Sequence, residues 1–187
     1  MLLLCSTSKV RAALLEKAGI KFIQKVCDFD EDSIKTTNPY QFVLEATRGK
    51  FEVNLKCFGD EQPLLCADTI ITDTKTLIRK PKNIEEAKKL LLLQSDNTIE
   101  IVTYQMIGFQ GQIYQNQSKT IYKFKKFDEK DLENYLQSGE WKGSAGGCKV
   151  EGFCKKYIEN VIGYESTAMG LTTQWVKEIY DIITKRR

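Results

Sequence analysis

Leu2-Leu3-Leu4-Cys5-Ser6-Thr7-Ser8-Lys9-Val10-Arg11-Ala12-Ala13-Leu14-Leu15-Glu16-Lys17-Ala18-Gly19 is the stretch on which the reading of the fold turns. Leu2–Cys5 is apolar with no polar alternation, as in a short buried strand. Ser6-Thr7-Ser8 puts hydroxyls where a helix must begin, and Lys9–Ala18 carries apolar positions at Val10, Leu14 and Leu15 before a stop at Gly19. The apolar start looks superficially like a lipoprotein signal, but it has no basic flank and is too short for a secretory segment. A strand running straight into a helix is the building unit of α/β proteins.

The same alternation continues. A second strand is expected around Lys21–Val26, then an acidic loop, Asp28–Asp32. Asn38-Pro39 opens a helix to about Leu55. Pro63–Thr72 reads as a buried strand interrupted by one acid, Asp68. Asn83 caps a helix over Ile84–Leu93, whose leucine run Leu90–Leu93 is a buried helix face and far short of a membrane span. Strands are expected over Thr98–Phe109, Gln112–Tyr114 and Ser118–Phe127. A helix at Glu129–Ser138, a Gly-rich loop at Gly143–Gly152 and an amphipathic helix at Thr172–Lys185 complete the pattern. The fold class is therefore α/β with a mixed, twisted sheet flanked by helices, in one domain over residues 1–187.

Composition limits the chemistry. Hydrophobic residues make up 42% of the 187-residue chain, enough for a true core. The net charge of +3 lacks the basic excess of a dedicated nucleic-acid binder. There is no histidine, so Ser-His-Asp and Cys-His catalysis are excluded, and proton transfer falls to carboxylates, lysines, tyrosines or metal-bound water. The six cysteines form no CxxC pair; they read as scattered, reduced thiols of a cytosolic protein, not as a zinc site.

Several features can carry chemistry, and each has a plainer reading. Ser6, Ser8 and Arg11 at a helix N-terminus suit an anion, although a plain cap with a surface arginine is the commoner arrangement. Asp68 in its apolar run fits a metal ligand, a general base or a salt-bridge partner equally. Lys80, held out of a helix by Pro81, could reach a phosphate or lie solvated in a turn. The carboxylates of Asp28, Asp30, Glu31 and Asp32 could serve a hard cation or line a solvated loop. The Gly143–Gly152 loop, with Ser144, Cys148, Lys149 and Glu151, matches neither a P-loop nor a dinucleotide fingerprint.

Taken in order, these segments resemble the Maf family of nucleotide pyrophosphatases over nearly the whole chain. Ser6-Thr7-Ser8-Lys9-Val10-Arg11-Ala12-Ala13-Leu14-Leu15 is similar to the family's S-x-S-x-x-R-x-x-L-L opening. Asp28-Phe29-Asp30-Glu31 resembles its D-x-D-E loop, Ala46–Lys50 the helix that carries a family lysine, Ala67-Asp68-Thr69 its G-A-D-T and Lys80-Pro81 its G-K-P. Ala145–Gly152 resembles the late Gly-rich loop. Lys149 and Glu151 match the branch linked to 7-methyl-GTP, whereas Val10 and Thr69 depart from it. Arg79 replaces the glycine before Lys-Pro, and Cys66 a small residue. The late S-N-x-x-G-L-P-L segment becomes Ser166–Thr173, with Thr167 for the asparagine and Thr172 for the proline.

The resemblance implies a two-lobed Maf/ITPase-like architecture with a central cleft. It implies a cytoplasmic hydrolase that cuts a nucleoside triphosphate, with a lean to 7-methyl-GTP, into monophosphate and pyrophosphate as nucleotide house-cleaning. On this reading Asp68, Lys80 and Arg11 are catalytic. Ser6, Ser8, Lys50, Lys149 and Glu151 bind substrate, and Glu31 and Asp68 hold a divalent cation, Mg²⁺ or Mn²⁺. The family precedent includes a homodimer; no stable nucleic-acid or membrane partner is expected. The alternative is a low-activity nucleotide-binding protein of the same fold that acts in septum formation and cell-division control through a partner.

Overall fold

The computed structural model describes residues 1–150 and 152–185. Its strands are β1 (Leu2–Leu4), β2 (Phe22–Gln24), β3 (Leu64–Thr72), β4 (Leu77–Ile78), β5 (Thr98–Phe109), β6 (Gln112–Phe124) and β7 (Ile158–Ile162). Its helices are α1 (Lys9–Lys17), α2 (Pro39–Phe58), α3 (Ile84–Gln94), α4 (Glu129–Ser138), α5 (Glu165–Ala168) and α6 (Thr173–Lys185). The strands form one mixed sheet in the order β2-β1-β3-β5-β6-β7, with β4 beside β3. β1 runs parallel to both β2 and β3, whereas β3–β4 and β6–β7 are antiparallel. This is the α/β class expected from the alternating pattern.

The helices start where the sequence supplies acceptors for their free N–H groups. Ser8, Asn38, Asn83 and Asp128 each accept a backbone N–H of the first turn, and Pro39 fills the first position of α2.

The chain divides into two compact units. Unit 1 comprises Met1–Thr69, Val102–Lys119 and the chain from Tyr164 on; unit 2 comprises Ile70–Ile101 and Thr120–Gly163. The core of unit 1 is built on Leu2, Leu4, Leu15, Leu65, Ile107, Leu171 and Val176, with Trp175, Ile179 and Tyr180 of α6 packed against it. Unit 2 is aromatic instead: Tyr135 stacks on Phe153 at 4.3 Å, and Phe127 meets Tyr157 at 4.8 Å.

Two expectations are corrected. Gln112–Tyr114 and Ser118–Phe127 are not separate strands: β6 runs unbroken over Gln112–Phe124, because its polar residues 115–117 sit on a partly exposed strand that tolerates them. The cysteines are not all reduced. Cys27 is bonded to Cys57 and Cys148 to Cys154, with Cα separations of 6.8 and 6.0 Å, leaving Cys5 and Cys66 as free, buried thiols. Pairing follows approach in space, which sequence spacing does not report. The chain leaving β2 runs beside the last turn of α2, where Cys57 lies, and Cys148 and Cys154 are 6 residues apart in the sequence.

Candidate active site

α1 brings the first group of residues into place. Ser8 caps the helix by accepting the Arg11 N–H at 3.3 Å. Ser6 is buried, and its hydroxyl oxygen accepts from the Ser8 N–H at 3.2 Å and from Arg11 Nη1 at 3.3 Å. Arg11 also donates from Nε to the Gly170 carbonyl at 3.0 Å and from Nη2 to Thr69 Oγ1 at 3.3 Å. Burial pushes the Arg11 guanidinium down from its usual range, while Asp68 and, more weakly, Glu31 act in the opposite sense. Arginine keeps its charge in any case.

α2 brings the second. Lys50 Nζ lies 2.8 Å from Asp68 Oδ1 and 2.6 Å from Glu31 Oε1. Burial alone would lower the Lys50 pKa, but the charge and hydrogen bonds of Asp68 and Glu31 outweigh it and the net shift is upward. Asp68, on β3, is therefore paired, which answers how a carboxylate survives among Leu64, Leu65, Cys66 and Ala67, all buried.

The acidic loop is fastened to α2 through residues outside the sequence motifs. Asn54, one turn after Lys50, is fully buried; its Oδ1 accepts the Cys27 N–H at 2.8 Å, and its Nδ2 donates to the carbonyls of Cys27 at 3.2 Å and Lys50 at 2.7 Å. The Cys27–Cys57 bond repeats the attachment. Glycine in mid-helix is the sequence signal that could have exposed the next contact: Phe29 lies where a Gly49 Cβ would point.

The late segment departs from the related pattern, and unit 1 absorbs the change. Gln105 on β5 accepts the Thr172 N–H at 3.0 Å, a donor that proline lacks, and Thr167 Oγ1 lies 3.0 Å from Thr172 Oγ1.

Lys80 and Lys149 belong to unit 2. Lys80 is exposed in the loop between β4 and α3; Lys149 is half-buried. Their segments are tied together, since the Gly146 N–H donates to the Arg79 carbonyl at 3.0 Å and the Gly147 position abuts Pro81. Tyr135 and Gln94 hold the carbonyls of Gly147 and Gly146 at 2.9 and 2.8 Å. Glu151 lies outside the described residues. Ser6, Ser8, Arg11, Glu31, Lys50 and Asp68 are thus gathered within unit 1.

Among the described residues no three carboxylate or thiol side chains are grouped as a metal cage, and no helix is long and apolar enough to cross a membrane. A cage is not required for Mg²⁺, which takes one or two carboxylates together with substrate phosphates and water. Glu31 and Asp68, converging on one ammonium, fit that demand.

Comparison with known proteins shows the family. The family model described as Maf-like protein matches residues 1–181. A protein of Nitratiruptor sp. named nucleoside triphosphate pyrophosphatase is 46% identical over 181 residues, covering 96% of this chain and 98% of that one. One of Helicobacter pylori with the same name is 37% identical over 173 residues, covering 92% and 91%. A solved HAM1 protein from Coxiella burnetii superposes with a TM-score of 0.53 at 14% identity, over 97% of this chain and 98% of that one, a likeness of fold. The chain belongs to the Maf-like protein family.

Proposed function

We propose that this protein is a nucleoside triphosphate pyrophosphatase. The observation that carries the reading is Lys50 bridging Glu31 and Asp68 beside Arg11, in a chain whose relatives carry that name. Water attacks the α-phosphorus, the bridging bond to the β-phosphate breaks, and the products are the nucleoside monophosphate, pyrophosphate and one proton.

Asp68 accepts the proton from the attacking water. Arg11 and Lys50 offset the charge that builds on the leaving pyrophosphate, and Ser6 and Ser8 orient its oxygens. In holding substrate, Lys50 moves part of its bonding from the carboxylates to a phosphate, which leaves Asp68 free to accept. Glu31 and Asp68 would hold Mg²⁺ or Mn²⁺, which supplies charge neutralisation at the phosphates.

Lys149 and Glu151 would read the base, and the match of these two residue types to the branch linked to 7-methyl-GTP favours that nucleotide: an acid suits the N–H donors of a guanine edge. We place the reaction in the cytoplasm, where triphosphates are made.

The test is pyrophosphate release from 7-methyl-GTP, dTTP, UTP and ITP with Mg²⁺ or Mn²⁺. Release with monophosphate as co-product is expected, fastest for 7-methyl-GTP. No release from any nucleotide would overturn the reading and favour a low-activity nucleotide-binding protein acting through a partner.

A further inference from the structure

Thr103 on β5 is fully buried and belongs to none of the sequence motifs, yet its hydroxyl fixes the direction of a hydrogen-bond chain that ends on Arg11. Its oxygen lies 2.7 Å from the Thr167 carbonyl oxygen and 2.9 Å from Thr69 Oγ1. A carbonyl can only accept, and a hydroxyl has one hydrogen. Thr103 therefore donates to Thr167, and the 2.9 Å contact must be a donation from Thr69 to Thr103. With its hydrogen spent, Thr69 Oγ1 can only accept, and the donor beside it is Arg11 Nη2 at 3.3 Å. The order is fixed: Arg11 to Thr69, Thr69 to Thr103, Thr103 to the backbone of Thr167.

The same backbone segment holds Arg11 a second time. The Gly170 carbonyl accepts from Nε at 3.0 Å. Gly170 has φ +110°, and a Cβ there would stand 3.1 Å from Nε and 3.4 Å from Thr69 Oγ1, so this approach is open to glycine alone. With Ser6 on Nη1, three of the five guanidinium N–H groups have partners among the described residues. The other two, one on each Nη, are left for an anion.

We propose that Thr103 is a positioning residue for Arg11: it forces the Thr69 hydroxyl to accept from the guanidinium and so sets the direction in which Arg11 presents its remaining donors to the triphosphate. This rests on the reading of Arg11 as a phosphate-binding group. Without the Thr103 hydroxyl, Thr69 is free to turn its hydrogen toward Arg11, where donor would face donor.

The experiment compares Thr103→Val, which keeps the shape and removes the hydroxyl, with Thr103→Ser, which keeps the hydroxyl. kcat/KM is measured on the best nucleotide in wild-type and Arg11→Ala backgrounds. The expected result is a loss of about tenfold for Val, the worth of one lost hydrogen bond. Recovery to within about twofold is expected for Ser, and no further loss is expected when Val is added to Arg11→Ala. Wild-type kcat/KM in a folded Thr103→Val protein would overturn the proposal, as would an undiminished loss in the Arg11→Ala background. Should Thr103→Val not fold, Thr103→Ala, which also lacks the hydroxyl, serves the same comparison. If wild-type protein cleaves no nucleotide, the pyrophosphatase reading fails separately, and calorimetric binding of inorganic tripolyphosphate decides Thr103. Binding about tenfold weaker in Thr103→Val supports it; equal binding, or none by wild type, overturns it.

Discussion

The ring of Phe29 lies against the backbone of α2 at Gly49, so close that a Cβ on Gly49 would stand 2.2 Å from its Cζ. Phe29 sits in the acidic loop two residues before Glu31, and Gly49 immediately precedes Lys50. The contact therefore sets the distance between the two charged partners. In an exposed helix, Gly→Ala would add up to ~1 kcal/mol. Here the ring must move, so Gly49→Ala is expected to destabilise by about 1–3 kcal/mol, the usual cost of overpacking. Turnover should fall with it, because Glu31 shifts away from Lys50. Adding Phe29→Ala should return part of the stability lost to the clash. Denaturant unfolding of the single and double variants checks this, and a stabilised Gly49→Ala protein would contradict it.

Asp68→Asn keeps the shape and removes the charge and the proton acceptor. Turnover should drop by roughly 10²–10⁴-fold, the range for loss of a positioned general base. Nucleotide affinity, which the proposed reading gives to Arg11 and Lys50, should stay within a few-fold of wild type. Parallel measurement of pyrophosphate release and nucleotide binding checks both statements; near-normal turnover would remove Asp68 from the proton transfer.

Much of this was readable in the residues. Strand–turn–helix at Leu2–Gly19, the exact span of β5 and of α4, and the caps at Ser8, Asn38 and Asn83 follow from local periodicity and capping chemistry, which act over a few residues. Asp68 was visible because a charge in an apolar run needs a partner, although the partner could not be told from metal or lysine. Thr103, Asn54 and the Gly170 carbonyl were invisible for a different reason. Buried hydroxyls, a helix asparagine and a backbone oxygen carry no periodic signal, and their roles depend on contacts 27 to 159 residues away. The strands β4 and β7 were missed likewise, since β4 has only two residues and β7 is almost wholly exposed, so neither shows a buried apolar run.

Thiol counting tests the disulfide pattern. Cys5 and Cys66 are buried, and the hydrogen bond between their side chains together with burial pushes the Cys66 thiol well up, away from the reactive thiolate. Native protein prepared without reductant should react little with a thiol reagent. Unfolded without reductant it should show the two free thiols, and after reduction all six cysteines. Six thiols before reduction would mean that neither Cys27–Cys57 nor Cys148–Cys154 is bonded. Since disulfides are rare in the cytosol, the same count on protein trapped in cells would also test the proposed compartment.

In unit 2, Asp131 on α4 accepts hydrogen bonds from Lys156 and, at 2.7 Å, from the Tyr157 hydroxyl. Lys156 is the larger influence, and together the two hold the Asp131 carboxyl below its usual range. A depressed carboxyl pKa contributes stability that is present above the unfolded value, about 4, and is lost as pH falls through the folded one. On the alkaline side the signs reverse. The Lys156 pKa is raised, chiefly by Asp131, so its contribution is present below the unfolded lysine value and lost as pH climbs through the folded one. Tyr157, raised first by burial and then by Asp131, disfavours its own ionisation in the same alkaline window. The Tm difference between wild type and Asp131→Asn should therefore be flat from about pH 6 to about pH 8 and close below about pH 4. It should also narrow above about pH 10, where the lysine begins to lose its proton. The pair is exposed, so added salt should shrink the whole difference. A difference that persists unchanged at low pH would show that Asp131 acts through its shape and not through its charge.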